Sequence, residues 1–161
     1  MTRPIVALLL VLSMFSDADG APIPRGALTP EELACRVVAR YHRAVRAQDL
    51  DGVTRVRAVP CVSQRGQCVV RDKATVVRVV GNSMAHSYTP EPGTPVEVAA
   101  WREVCPPAGT RTETERVFAE AVGQAVGDNG YVVTVGDPRW RHRLVYYVRV
   151  VGDEAFIVGW D

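Results

Sequence analysis

Apolar and polar residues recur along this chain with two different periods. Leu33, Val37, Tyr41 and Val45 come every fourth residue, flanked by Ala34, Val38 and Ala44. Arg36, Arg40, Arg43 and Arg46 fall on the other side. That spacing predicts an amphipathic helix with a solvated arginine face. Thr29 can cap its start, Pro30 suits the first helical position, and Glu32 completes a capping box. The helix is expected to end near Gln48, because Asp49-Leu50-Asp51-Gly52 breaks the pattern. Val53, Val56 and Val59 then recur at spacing three, which predicts a short second helix up to Pro60. A second capping box, Thr112 with Glu115, opens a further helix with the stripe Val117, Phe118, Ala121, Val122 and Ala125. Gly127 stops it.

Elsewhere the period falls to two, or the residues are simply rich in valine. Residues 75–80 read as a strand, Gly81-Asn82 as a turn, and 83–88 as the returning strand. Residues 96–104 alternate, with Val96, Val98 and Ala100 on one face and Glu97, Ala99 and Trp101 on the other. The tail reads as three strands, 131–135, 144–151 and 155–160, with turns at Gly136-Asp137-Pro138 and Gly152-Asp153. The fold class expected is α+β: a long N-terminal helix packed on a curved antiparallel sheet, with a second helix before the last strands. No repeat or low-complexity tract divides residues 29–161, so they read as one domain. Residues 21–28, with Pro22, Pro24 and Gly26, read as a flexible lead-in.

Composition agrees with this. The chain has 161 residues, 29 of them valine, and 47% are apolar, which excludes a disordered polypeptide. Valine is stiff at χ1 and suits a pleated surface. Its 19 basic groups, all arginine except Lys73, stand against 18 acidic ones. So balanced a chain is not a polycation that binds nucleic acid by counterion release.

The first twenty residues change the picture of where the protein works. Arg3 precedes an apolar run from Ile5 to Phe15, followed by small and polar residues to Gly20 and Ala21. This is the layout of a secretory signal over residues 1–20, with cleavage expected after Gly20. The run is too short for a membrane anchor, which takes about 20 apolar residues. A secreted or extracytoplasmic protein follows, and Cys35, Cys61, Cys68 and Cys105 then read as two disulfides. Cys61–Cys68 would close a turn-like loop, and Cys35–Cys105 would tie the first helix to mid-chain; that pairing is preferred among the three available. No two cysteines stand two to four residues apart, so a zinc site is not indicated.

Candidate chemistry is sparse. There is no nucleophile elbow, HExxH motif, phosphate-cradling glycine loop or calcium loop. No cofactor is implied. The ligand-binding candidates are Tyr41 and His42 on the first helix and the basic patch Trp140, Arg141, His142 and Arg143, where a ring and cations could meet an anion. For each, the plainer account is an edge-of-core histidine or a solvated turn. His86 has no close partner in sequence.

Residues 41–51, where an aromatic and small residues lead into the acidic turn Asp49-Leu50-Asp51, resemble the end of the first helix of NTF2-like (SnoaL-like, cystatin-like α+β) domains. The closing hairpin, ending in Phe156-Ile157-Val158-Gly159-Trp160-Asp161, resembles that family's last two strands. The resemblance implies a long helix lying in the bend of a curved sheet. It leaves the activity open, because the family holds binding proteins as well as enzymes that use an Asp, His or Tyr inside the cone. A non-catalytic domain binding a small ligand or a protein partner is the expectation; a His/Tyr pocket enzyme is the alternative. Val59-Pro60-Cys61-Val62 and Val104-Cys105-Pro106-Pro107 also look like the cysteine surroundings of herpesvirus glycoprotein L. That resemblance would imply a small disulfide-bonded subunit riding on a membrane-bound partner.

Overall fold

The computed structural model describes residues 27–63, 68–91, 93–105, 107–136 and 143–160. The proposed signal segment, Trp140, Arg141 and His142 lie outside the described residues.

Helix α1 (Pro30–Arg46) starts as its sequence requires: the Thr29 amide donates to Glu32 Oε2 at 2.7 Å and the Glu32 amide donates to Thr29 Oγ1 at 3.2 Å. Its buried stripe is broad, from Ala34 to Val45. Asp49 does more than end this helix. Its carboxylate accepts from the Gly52 amide at 2.9 Å and caps α2 (Leu50–Arg55). The short second helix therefore begins earlier than Val53, and strand β1 (Arg57–Ser63) occupies the residues expected to finish it. Strand β2 (Cys68–Val70) returns antiparallel to β1.

The strand and returning strand expected over 75–80 and 83–88 are not formed. Residues Lys73–Met84 make helix α3. Asp72 accepts from the amides of Ala74 and Thr75 at 3.1 and 2.8 Å, and Val76, Val80 and Met84 bury one stripe at spacing four. A cap and tertiary burial thus override the β preference of valine. The strand expected over 96–104 divides: β3 (Val96–Ala100) ends where α4 (Trp101–Val104) begins. Helix α5 (Glu113–Val126) is capped by Thr112 and stopped by Gly127, which adopts φ +68°, as expected. Three strands close the chain: β4 (Gly130–Val135), β5 (Leu144–Val151) and β6 (Glu154–Trp160).

The six strands form one sheet in the order β2-β1-β6-β5-β4-β3. Every pairing is antiparallel except β1 with β6. The fold is α+β, with helices on both sheet faces. Successive residues alternate between two apolar layers. Cys61, Val133, Tyr146, Val148 and Ile157 face α1, α2 and α3. Val62, Tyr147 and Val158 face Trp101 and α5. At Gly159 the backbones of β6 and β1 come so close that a Cβ would lie 2.8 Å from the Val62 carbonyl oxygen, so glycine is required there.

The preferred Cys35–Cys105 bridge is not made, and no disulfide links Cys35, Cys61 and Cys105 to one another. The layers explain it: Cys35 belongs to α1 on one face, while Cys105 packs with the apolar layer of the other. Burial and the neighbouring Glu32 and Glu31 push the Cys35 thiol up to about 11, which makes it a poor nucleophile for exchange. On the backbone, Cys68 pairs with Ser63 and Cys61 with Val70.

Candidate functional site

Where α1, α3 and the start of β1 meet the ends of β5 and β6, two buried residues, His42 and Arg57, have unmet hydrogen-bonding capacity; the buried Arg149 Nε, also without a partner, belongs to a side chain that reaches α5 instead. Tyr41 and His42 both point inward from α1, being 8% and 2% exposed. Their rings pack edge-on to each other and to Tyr146 of β5, with centroids 5.3 to 5.7 Å apart. Aromatic rings prefer such geometry because a positive edge meets a negative face. His42 is thus fully interior, not at the edge of the core. Neither ring nitrogen has a hydrogen-bond partner. Burial first, and Arg46 second, lower the pKa of His42 from 6.5 to about 4. The imidazole is neutral at ordinary pH.

Arg57 completes the cluster. It is 2% exposed and lies between two rings, its Cζ 4.7 Å from the Tyr41 centroid and 4.3 Å from the Trp160 centroid. Its Nη1 reaches only Cys61 Sγ, at 3.9 Å, and Nε has no partner. Among the described residues it forms no ion pair with a carboxylate. Two π faces offset part of the cost of burying a cation, but they do not neutralise it. Lys73, beside it, spends its ammonium on the backbone carbonyls of Thr54 and Arg57.

A cavity of about 190 Å³ opens onto this guanidinium. Tyr41, Tyr146 and Trp160 line it with Arg57, and α3 and the segment after it close it with Val80, Ser83, Ser87 and Tyr88. Ser83 Oγ donates to the Val80 carbonyl at 3.2 Å and Ser87 Oγ donates to the Ser83 carbonyl at 3.0 Å, so both hydroxyl protons are already engaged. None of the described lining residues is acidic. Burial, followed by the neighbouring Tyr41, drives the Tyr146 phenol far above its usual range, so it stays protonated.

Of the residues expected to bind a ligand, the structure brings Tyr41 and His42 into this cluster, though only Tyr41 lines the cavity. Arg143, also expected, is exposed at the start of β5. Sequence reading missed Arg57, Tyr146 and Trp160. A signal for Arg57 was present: positions 57, 59 and 61 alternate with 58, 60 and 62, and an arginine on the inward side of an apolar strand is unusual. Taking Val53, Val56 and Val59 as one helical stripe concealed it.

Two further depressions of about 270 and 370 Å³ lie along α1, lined by Arg36, Arg40, Arg43 and Arg55. Asp153 and Glu154 flank the first, and Asp49 the second. Among the described residues no group of His, Cys, Asp and Glu could hold a metal ion, and no helix is long and apolar enough to cross a membrane.

No family model and no curated protein matches the chain. Solved structures do match it in shape. One is an NTF2-like protein of unknown function from Pseudomonas putida KT2440, 13% identical, with 84% of this chain and 87% of that chain covered at a TM-score of 0.40. The resemblance of this chain to NTF2-like domains is one of shape.

Proposed function

We propose that this protein is a small-ligand-binding domain, with its binding site in the cavity between α1, α3 and the sheet. The observation that carries the reading is the buried Arg57, without an ion pair among the described residues, on the wall of an aromatic-lined cavity. Binding sites combine an apolar lining with a few well-placed polar groups, and this cavity has that composition. It lies below the roughly 300–1,000 Å³ usual for drug-sized ligands, so its occupant is small. The titratable groups of the described lining are an arginine and tyrosines, with no carboxylate or imidazole to act as a general base. That favours binding over catalysis. The test is a fragment titration followed by amide NMR. The expected result is a cluster of shifts at Tyr41, Arg57, Ser87, Tyr146 and Trp160. Shifts confined to α5 and Trp101, on the other face, would move the site elsewhere.

We propose also that the domain is exported. The support is the Arg3 start, the apolar run to Phe15 and the small residues up to Ala21. Expressed with its full sequence in a secreting host, the protein recovered outside the cytoplasm is expected to begin at Ala21 by N-terminal sequencing. Recovery with Met1 or Thr2 as its first residue would refute export by this signal.

A further inference from the structure

We infer that the ligand is a small monocarboxylate, held by the Arg57 guanidinium; this rests on the cavity being the binding site. The first ground is charge. A guanidinium is always protonated, and a buried cation costs free energy until it is paired. Arg57 is 2% exposed, lines the cavity, and has no carboxylate partner among the described residues. An anion from solution would supply the counter-charge that the described residues do not.

The second ground is geometry. Arginine presents five N–H donors in a rigid planar fork. Nη1 is turned to Cys61 Sγ, while Nε stands without a partner. A planar, two-oxygen acceptor is the partner that a guanidinium's unengaged donors match with parallel hydrogen bonds. The Tyr41 and Trp160 rings fix the plane of the guanidinium, so the fork is organised before the ligand arrives.

The third ground separates a carboxylate from a phosphate. One buried cation balances one negative charge. Lys73, a cation close to Arg57, is not among the lining residues and is held by two carbonyls. The Ser83 and Ser87 hydroxyl protons are engaged. Phosphate would bring a second negative charge that no second cation of the described lining meets. The apolar body of the acid would lie against Val80, Leu144 and the Trp160 ring.

The test is isothermal titration of the full protein with benzoate, with its neutral isostere benzamide, and with inorganic phosphate. Benzoate should bind about tenfold or more tightly than benzamide, because only the anion pairs the buried charge. Phosphate should bind more weakly than benzoate. Arg57→Met should abolish the preference for benzoate over benzamide. Arg57→Lys, which keeps the charge but loses the fork, should fall between. The comparison of ligands on the unaltered protein needs no variant to fold. Equal affinity for benzoate and benzamide would overturn the carboxylate and leave the cavity reading standing. Tighter binding of phosphate would overturn the monoanion. No binding of either aromatic probe would remove the cavity reading and this inference together.

Discussion

Acidification from about pH 7.5 to about pH 4 is expected to destabilise the fold by about 3 kcal/mol through His42 alone, and His42→Phe should remove that contribution. The reason is linkage. In the unfolded chain the imidazole takes up a proton at its ordinary value of 6.5; in the fold this falls to about 4. Between those values the unfolded state binds the extra proton, so stability rises with pH. The stabilisation is fully present above pH 6.5 and is lost as the pH falls through 4; well below 4, further acidification adds nothing from this residue. The effect is large because the ring is 2% exposed, packed between Tyr41 and Tyr146, and has no acceptor to share a proton with. The charge that acts on it, Arg46, is positive and opposes protonation. Asp72, Glu113 and Glu115 also titrate below their ordinary values, chiefly because of hydrogen bonds to Thr75, Arg116 and Thr112. Their losses come at lower pH and are common to both proteins. Urea unfolding of the two proteins across this range reads the difference directly. Phenylalanine can change the absolute stability by overpacking, but parallel pH profiles would show that His42 is not the titrating group.

The same residue shows how far sequence carries. Tyr41 and His42 were legible as candidates because helix periodicity is strong from Leu33 to Val45 and the Thr29 capping box fixes its start. The β4, β5 and β6 strands and the Thr112-capped α5 were legible for similar local reasons. What failed were segments where local and tertiary signals disagree. Residues 75–80 carry four valines, yet one aspartate cap and the burial of Val76, Val80 and Met84 make them helical. Val53, Val56 and Val59 share a spacing but belong to a helix, its cap and a strand. The site suffered most, because it exists only in three dimensions. Arg57, Tyr146 and Trp160 lie far apart in the chain, and the parallel pairing of β1 with β6 brings the first and last together. No local spacing encodes that pairing.

The second large effect lies on the opposite sheet face and separates stability from binding. Trp101→Ala is expected to cost about 3–5 kcal/mol. Trp101 is 8% exposed and stacks edge-on with Phe118 of α5 and Tyr147 of β5, at centroid distances of 5.9 and 6.0 Å. Phe118 and Tyr147 also meet at 5.6 Å, so the three rings form a closed triangle. Removing one member takes away the edge of two aromatic pairs and leaves a cavity beneath α5. The helix cannot collapse into it, because Val122 and Val126 already fill its contact with the sheet. Yet the ligand cavity is built from Tyr41, Tyr146 and Trp160, and Tyr146 points away from Tyr147 by the alternation of the strand. The variant should therefore unfold at much lower urea concentration while its folded fraction keeps the affinity of the parent for benzoate. A loss of affinity matching the loss of stability would show that the two faces of the sheet are coupled.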